Sequence, residues 1–592
     1  MRVRLLLGIA LLALCCRLFS VEAQGQATVI EGGTLIDGNG GAPVPDAVLV
    51  IEGETIARIS QKGKVPYPAG SRVIKADGKF VLPGLWDLHV HYNGWMGQLF
   101  VSYGVTSILQ YGFDEWIRAQ KEGIAKGKIA GPRMFVGSLG AAGTRGFVET
   151  AQPWGIPFGN KHFATFGLPE RVTAEEARTW VRDAVRAGVE AIGEIGPEVA
   201  DREVLKAIVE EAHQAGIPVA GHLSLSAKDA VFAGVDSLLH LAGVSMSAMD
   251  FDGTVRRLRV IDPRYDVTEP RFMRVVDPRF LMTFAFVDPA KVDEIIRAMV
   301  ANKTRIEPDL MTVAQPVHDR RKAYEQEIHE LFNDPQLQYV PADNVLMALD
   351  YGQGMYRYRT KLTPEEIQLL EKGYRNIQAF IRKFVGAGGT VLAGVDSHAS
   401  LIPGIGLHYE LQLLVDAGLT PMQAIQAATK NAAEWLRQGD RLGTLQEGKI
   451  ADLVLVSADP LADIANTKKV EGVMKGGQWM DRGYAFANPI PQPPRGEGHG
   501  NPVPQVGALS PTSAVEGSRD VTVTVRGNYF LTDSIIEFDG VPLPTTYVSF
   551  RELKATLPDY LAARPGTFAV RVFTPAPFGG RSNRAYFLVR FR

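Results

Sequence analysis

Between residues 85 and 396, short apolar runs alternate with segments in which apolar residues recur every three or four positions. The runs have the length and bulk of strands buried on both faces. The intervening segments have the periodicity of helices with one apolar face. Eight runs can be counted, at 85–91, 105–109, 134–138, 191–195, 219–222, 237–240, 305–309 and 391–396. This alternation predicts an α/β fold, a parallel sheet covered by helices. Eight units in about 350 residues suit a closed, TIM-like (β/α)8 barrel with insertions better than an open doubly wound sheet. No glycine-rich dinucleotide fingerprint follows the first run. The stretches 250–288 and 317–362 exceed ordinary connections and are expected to form lids or walls over the barrel mouth.

The flanks have a different rhythm. Residues 27–31, 47–52, 55–60 and 73–80 read as short strands around a glycine-rich turn near Asp37, too few to enclose a core. Similar strands recur at 451–457 and 470–480. One small composite β-domain is therefore expected from 24–80 and 441–485, with the barrel at 81–440 between its halves. Residues 486–502 are rich in proline and glycine and read as a linker. Beyond it, alternating strands at 520–526, 534–538, 553–557, 568–573 and 585–589 predict a C-terminal Ig-like β-sandwich over 503–592.

Composition alters this picture at one end only. The 592 residues are 46% hydrophobic and 22% charged, with a formal net charge of −2. That is a globular, multidomain composition with no electrostatic argument for nucleic acid or anionic lipid. The start differs: Met1 to Arg4 is basic, 5–14 is almost wholly apolar, and Val21 and Ala23 stand at the minus-three and minus-one positions before Gln24. Residues 1–23 therefore read as a secretory signal peptide, and a periplasmic or extracellular location is expected. An uncleaved anchor and lipidation at Cys15 or Cys16 are the alternatives, the latter disfavoured by the bulk of Leu14. Those two cysteines are the chain's only ones, so the mature protein would hold no disulfide. No later segment has the run of about 20 apolar residues that a membrane span needs.

Chemistry concentrates at the strand ends. In VLPGLWDLHVH (81–91), His89 and His91 stand at i and i+2, a spacing that puts both imidazoles on one face of a strand. Neutral imidazoles held together make a good chelate for a divalent cation. Three other predicted strands end on ligand types, at His222, His240 and Asp396. A satisfied buried histidine or a capping aspartate accounts for any one of them. Barrel strand ends converge on one mouth, however, and together the five residues predict a metal centre.

These segments resemble the amidohydrolase superfamily. The resemblance rests on VLPGLWDLHVH (81–91), EAHQAGIPVAGH (211–222), AGVDSLLH (233–240), AGVDS (393–397) and LQEGKIADLVL (445–455), in family order over about 28–482. The last segment and AGLTPMQAIQAAT (417–429) are most similar to the imidazolonepropionase and Xaa-Pro dipeptidase-like branch. The resemblance implies that His89, His91 and Asp396 hold one metal and His222 and His240 a second, with Asp396 also the base toward a metal-activated water. Many two-metal relatives carry a carboxylated lysine at the end of strand four, where this chain reads GVEAIGEIG (188–196) and has no lysine. Glu194 is similar to a bridging glutamate and becomes the sixth candidate ligand, although strict register places Gly193 at that position. Residues 503–592, with LSPT (509–512), VTVRGNYF (523–530) and GGRSN (579–583), resemble an immunoglobulin-like plexin and transcription factor (IPT/TIG) domain, expected as a spacer or a glycan- or surface-binding module.

Other polar residues are weaker candidates. Tyr92, Arg145 and His398 are candidate substrate contacts. Tyr92 and Trp95 are equally suited to core packing, and Arg145 to a solvated loop. His213 belongs to a helical pattern ended by Gly216 and reads as outer-ring, and His408 as helix packing. The leading reading is an exported hydrolase that cleaves a C–N bond in a small-molecule or dipeptide-like substrate. It would use one or two divalent ions, with zinc expected, although imidazole and carboxylate suit manganese, iron and cobalt as well. A mononuclear deaminase or cyclic amidase, and a binding protein without turnover on the same barrel, are the alternatives. A homo-oligomer is compatible with all three.

Overall fold

A computed structural model of the chain describes residues 26–113, 115–139, 172–195, 201–222, 226–241, 243–261, 278–314, 317–332, 362–397, 403–480, 503–575 and 579–592. The signal-peptide and linker expectations, Arg145 and His398 lie outside these residues. So do 262–277 and 333–361 within the two expected lids.

The N-terminal flank supplies β1 (Thr28–Leu35), β2 (Val44–Glu52), β3 (Thr55–Gln61), β4 (Arg72–Lys75) and β5 (Phe80–Pro83). The single strand expected over 73–80 is two strands. Gly78, at φ 72°, turns the chain between them, and β5 begins only at Phe80.

The central sheet is all-parallel. It consists of β6 (Leu85–Val90), β7 (Val105–Tyr111), β8 (Arg133–Leu139), β9 (Ala191–Ile195), β10 (Val219–Gly221), β11 (Ser237–Leu239) and β12 (Arg305–Glu307), each strand hydrogen-bonded to its predecessor. Both faces are covered, as the unbroken apolar runs require: all seven residues of β7 are buried. Leu88, Leu109, Phe135, Ala220 and Leu392 meet in one cluster, while Val105, Ile108, Met134 and Val219 pack in the larger core with the helices. The helices start and stop on local signals. Ala174–Ala187, for example, opens with a capping box between Thr173 and Glu176 and ends at Gly188, φ 99°.

The eighth expected strand, 391–396, is not a regular strand. It meets β12 and β6 through single parallel bridges, Ile306 with Val391 and Val90 with Ser397. Ser397 N donates to His89 O and His91 N to Ser397 O, both at 2.8 Å. The segment thus joins the two edge strands of the curled sheet in a TIM-like barrel. Within it Gly394 leaves no room for a side chain: a Cβ there would lie 2.0 Å from Glu307 Oε1 and 2.7 Å from Asp309 Oδ1. Two carboxylates occupy the space above that backbone.

After the barrel, β13 (Leu453–Val456), β14 (Val470–Lys475) and β15 (Gln478–Met480) return to the first sheet. β13 pairs antiparallel with β5, Leu453 opposite Pro83 and Val456 opposite Phe80. Strands from both flanks therefore form one eight-stranded sheet. The C-terminal region is β-rich: one sheet of four strands and another of six share a core that includes Val525 and Leu553 from the first and Phe538, Val572 and Phe587 from the second. Among the described residues, no helix is long and apolar enough to cross a membrane.

Candidate metal centre

The barrel strands deliver their chemistry to one rim. His89 is the penultimate residue of β6 and His91 follows that strand; His222 follows β10 and His240 follows β11. Asp396 lies in the segment that joins the edge strands. At the rim the backbone turns left-handed at His240 (φ 55°), Asp309 (φ 48°) and Asp396 (φ 59°). Each such residue costs on the order of 1–3 kcal/mol and persists only where the surroundings over-determine it. Three at one rim mark a built site.

The side chains converge. His91 Nε2 is 3.2 Å and His89 Nε2 3.7 Å from Asp396 Oδ1. The imidazoles form a chain, with ring centroids 5.4 Å apart for His91 and His89, 4.9 Å for His89 and His240, and 5.0 Å for His240 and His222. Beneath them, Asp87 accepts from Ser397 Oγ at 2.8 Å and from His89 N and Val395 N at 3.2 Å each, tying the base of β6 to the Asp396 segment.

Two carboxylates outside the expected ligand set also reach this cluster. Glu307 ends β12 and Asp309 follows two residues later. Asp309 Oδ2 is 3.0 Å from His240 Nδ1 and 3.5 Å from His89 Nδ1, and Glu307 Oε1 is 3.9 Å from His89 Nδ1. All four side chains are fully or almost fully buried. Burial pushes the Asp87 carboxyl up to about 7 and, with the neighbouring Asp309 charge, raises Glu307 well above the carboxylate range. Burial also acts to raise Asp309, but His240 and His89 beside it hold it below its ordinary value.

A divalent cation suits this set. Two triads, His89–His91–Asp396 and His89–His240–Asp309, each offer donor atoms within 4.8 Å of one another. Both oxygens of Glu307 and both of Asp309 are buried without an aligned hydrogen-bond donor. Buried acids in that condition are costly unless positive charge lies nearby, and mixed imidazole–carboxylate donors are those of zinc and similar ions.

The remaining candidates fall in several places. Glu194 lies in β9, but its side chain is outside the described residues. The β9–β10 ladder slips by one residue between Ile192 and Ile195, the irregularity that makes strict register unreliable here. Tyr92 is buried, its ring 6.1 Å from that of Trp116, and its backbone N–H lies against the Gln110 side chain. His213 meets Asp236 on the barrel exterior at 2.7 Å, and His408 is buried between Thr467 and the Tyr103 carbonyl.

Position 193 is closed to a side chain. A Cβ on Gly193 would lie 1.9 Å from Tyr111 Cε1, and the Tyr111 ring stands edge-on to His89 at 5.0 Å. The place that strict register would give a strand-four lysine is therefore filled by an aromatic ring from β7. Gly193→Ala is expected to lower stability by about 1–3 kcal/mol through overpacking, read as a lower denaturant midpoint. A midpoint equal to wild type would contradict this packing.

Comparison with known proteins agrees with this architecture. Residues 335–480 match the amidohydrolase family. An ochratoxinase from Aspergillus niger is 26% identical over 485 residues, spanning 77% of this chain and 87% of that protein. Among solved structures, a Xaa-Pro dipeptidase with bound methionine superposes with TM-score 0.51 at 22% identity, over 77% of this chain and 100% of the other. Phenylurea hydrolase B superposes with TM-score 0.52 at 21% identity, over 78% and 99%. The family match over residues 335–480 and the barrel agree in making the chain a hydrolase that acts on carbon–nitrogen bonds.

Proposed function

We propose that this chain is an exported, metal-dependent hydrolase of C–N bonds in small amide substrates, with dipeptides and N-acyl amino acids as the substrate class. The observation that carries the reading is the meeting of His89, His91, His240 and Asp396 at one barrel rim, with His222 beside His240. The names of the Xaa-Pro dipeptidase and the phenylurea hydrolase support C–N cleavage, and the character of residues 1–23 supports export. The C-terminal β-rich region fits an IPT/TIG-like spacer or surface-binding module.

In this reading His89, His91, His222, His240 and Asp396 hold the cation, with Glu194 the candidate bridge if two ions bind. A divalent ion such as zinc supplies a water made acidic enough to attack and an electrophile for the carbonyl oxygen. The chain's own residues do the rest. His89 and His91 hold Asp396 at the barrel rim. Asp396 takes the proton of the attacking water and passes it to the leaving amine nitrogen, so that the amine departs neutral.

The test is a hydrolysis screen of the full-length, zinc-supplemented protein against Xaa-Pro and other dipeptides and N-acyl amino acids. Turnover of at least one class, lost in Asp396→Asn, is expected. Zinc-loaded protein inert toward every amide in the screen would overturn the proposal.

A further inference from the structure

Asp309 stands where a helix cap is expected. It immediately precedes the short helix Leu310–Val313, yet its side chain accepts no hydrogen bond from that turn. The Met311 N–H that a cap could satisfy donates instead to Glu410 Oε2, at 2.8 Å, from the helix Ile405–Asp416. Asp309 is thereby released from a local role. Its left-handed backbone, φ 48°, turns the carboxylate inward, and it packs over Gly394.

There a single oxygen faces two imidazoles. Oδ2 is 3.0 Å from His240 Nδ1 and 3.5 Å from His89 Nδ1. The opposite nitrogen of His89, Nε2, faces Asp396. A neutral imidazole offers a lone pair on only one nitrogen, and the partner of the other nitrogen decides which. His240 Nδ1 is within reach of the oxygen without an aligned hydrogen bond, and contacts of this kind tighten when the opposite nitrogen is engaged.

We propose that Asp309 is a positioning residue shared by both sides of the metal centre, holding the proton of His89 and of His240 on Nδ1 so that both Nε2 lone pairs are presented to the cation. This rests on the metal reading above. Asp309 touches neither substrate nor reacting atoms in this role. It acts through the two histidines, one from β6 and one from the end of β11, and so links ligands that lie far apart in the sequence.

The experiment is a cobalt(II) titration of the metal-stripped full-length chain, followed by its visible spectrum and by competition with a chelator, for wild type, Asp309→Asn and Asp309→Glu. Asparagine keeps the size but can turn its NH2 toward Nδ1 and favour the wrong tautomer; glutamate keeps the acceptor. Cobalt affinity about 10–100-fold weaker in Asp309→Asn, partly regained in Asp309→Glu, is expected, with all three chains melting cooperatively. Wild-type affinity in Asp309→Asn overturns the assignment, as does equal weakening in both variants, which marks a merely structural role. A wild-type chain that takes up no cobalt refutes the metal reading itself.

Discussion

Asp396→Asn is expected to lower kcat by about 10²–10⁴-fold, the usual range for loss of a positioned acid–base group, while the chain stays folded. Asparagine suits the test because position 396 has φ 59°, a left-handed conformation that asparagine tolerates far better than alanine or a branched residue. Its size also preserves packing beside Ser397, whose hydroxyl donates to Asp87, and Val395, whose N–H does the same. What asparagine removes is the negative oxygen that lies 3.2 Å from His91 Nε2 and 3.7 Å from His89 Nε2, and with it the proposed cation ligand and proton carrier. Steady-state kinetics at saturating zinc, with a thermal melt of the same sample, check the outcome. A kcat within about threefold of wild type would remove Asp396 from the mechanism.

His89→Ala is expected to have the other large effect, on metal content more than on any later step. His89 is the one residue common to two clusters at the rim, His89–His91–Asp396, proposed to hold the cation, and His89–His240–Asp309, in which the carboxylate is proposed to steer both imidazoles. Its ring lies between carboxylates on either side, Asp396 at Nε2 and Asp309 and Glu307 at Nδ1. Alanine takes away a proposed ligand and leaves three buried acids facing one another across a cavity, an arrangement destabilised by desolvation and by like charge. Metal per chain should fall to well under half of the wild-type value after gel filtration, because loss of a direct ligand should exceed the 10–100-fold affinity loss typical of a supporting residue. Retention of the full wild-type metal content would move the centre away from this rim.

Much of this was legible in the sequence because burial leaves a periodic trace. A sheet covered on both faces needs uninterrupted apolar runs, and seven of the eight runs are strands of the parallel sheet. The eighth, 391–396, has the apolar signature without regular pairing. It lies against groups remote in sequence, the Glu307 and Asp309 carboxylates over Gly394, which no local pattern encodes. The break between β4 and β5 was visible as Asp77-Gly78, but the apolar residues around it suggested a continuous strand.

At the site, the histidines stood out because imidazoles at successive strand ends are uncommon. Asp309 was missed although its run also closes on a carboxylate, as that of Asp396 does. An aspartate just before a helix reads locally as a cap, and only the three-dimensional arrangement shows that Glu410 takes the Met311 N–H while Asp309 turns toward the histidines. Glu307 was hidden for a similar reason: a glutamate on a three-residue strand says nothing of which way it faces. The obstruction at position 193 depends on Tyr111, a residue 82 positions away, and is likewise beyond the reach of local pattern.

The central claim is that the rim formed by His89, His91, His222, His240 and Asp396 works through a bound divalent ion. The direct measurement is metal content and hydrolytic rate on one preparation of the full-length chain, before chelation, after exhaustive chelation, and after addition of zinc. At least one ion per chain, loss of activity in step with loss of metal, and recovery on adding zinc are predicted. Undiminished activity in protein from which all metal has been removed would contradict the account.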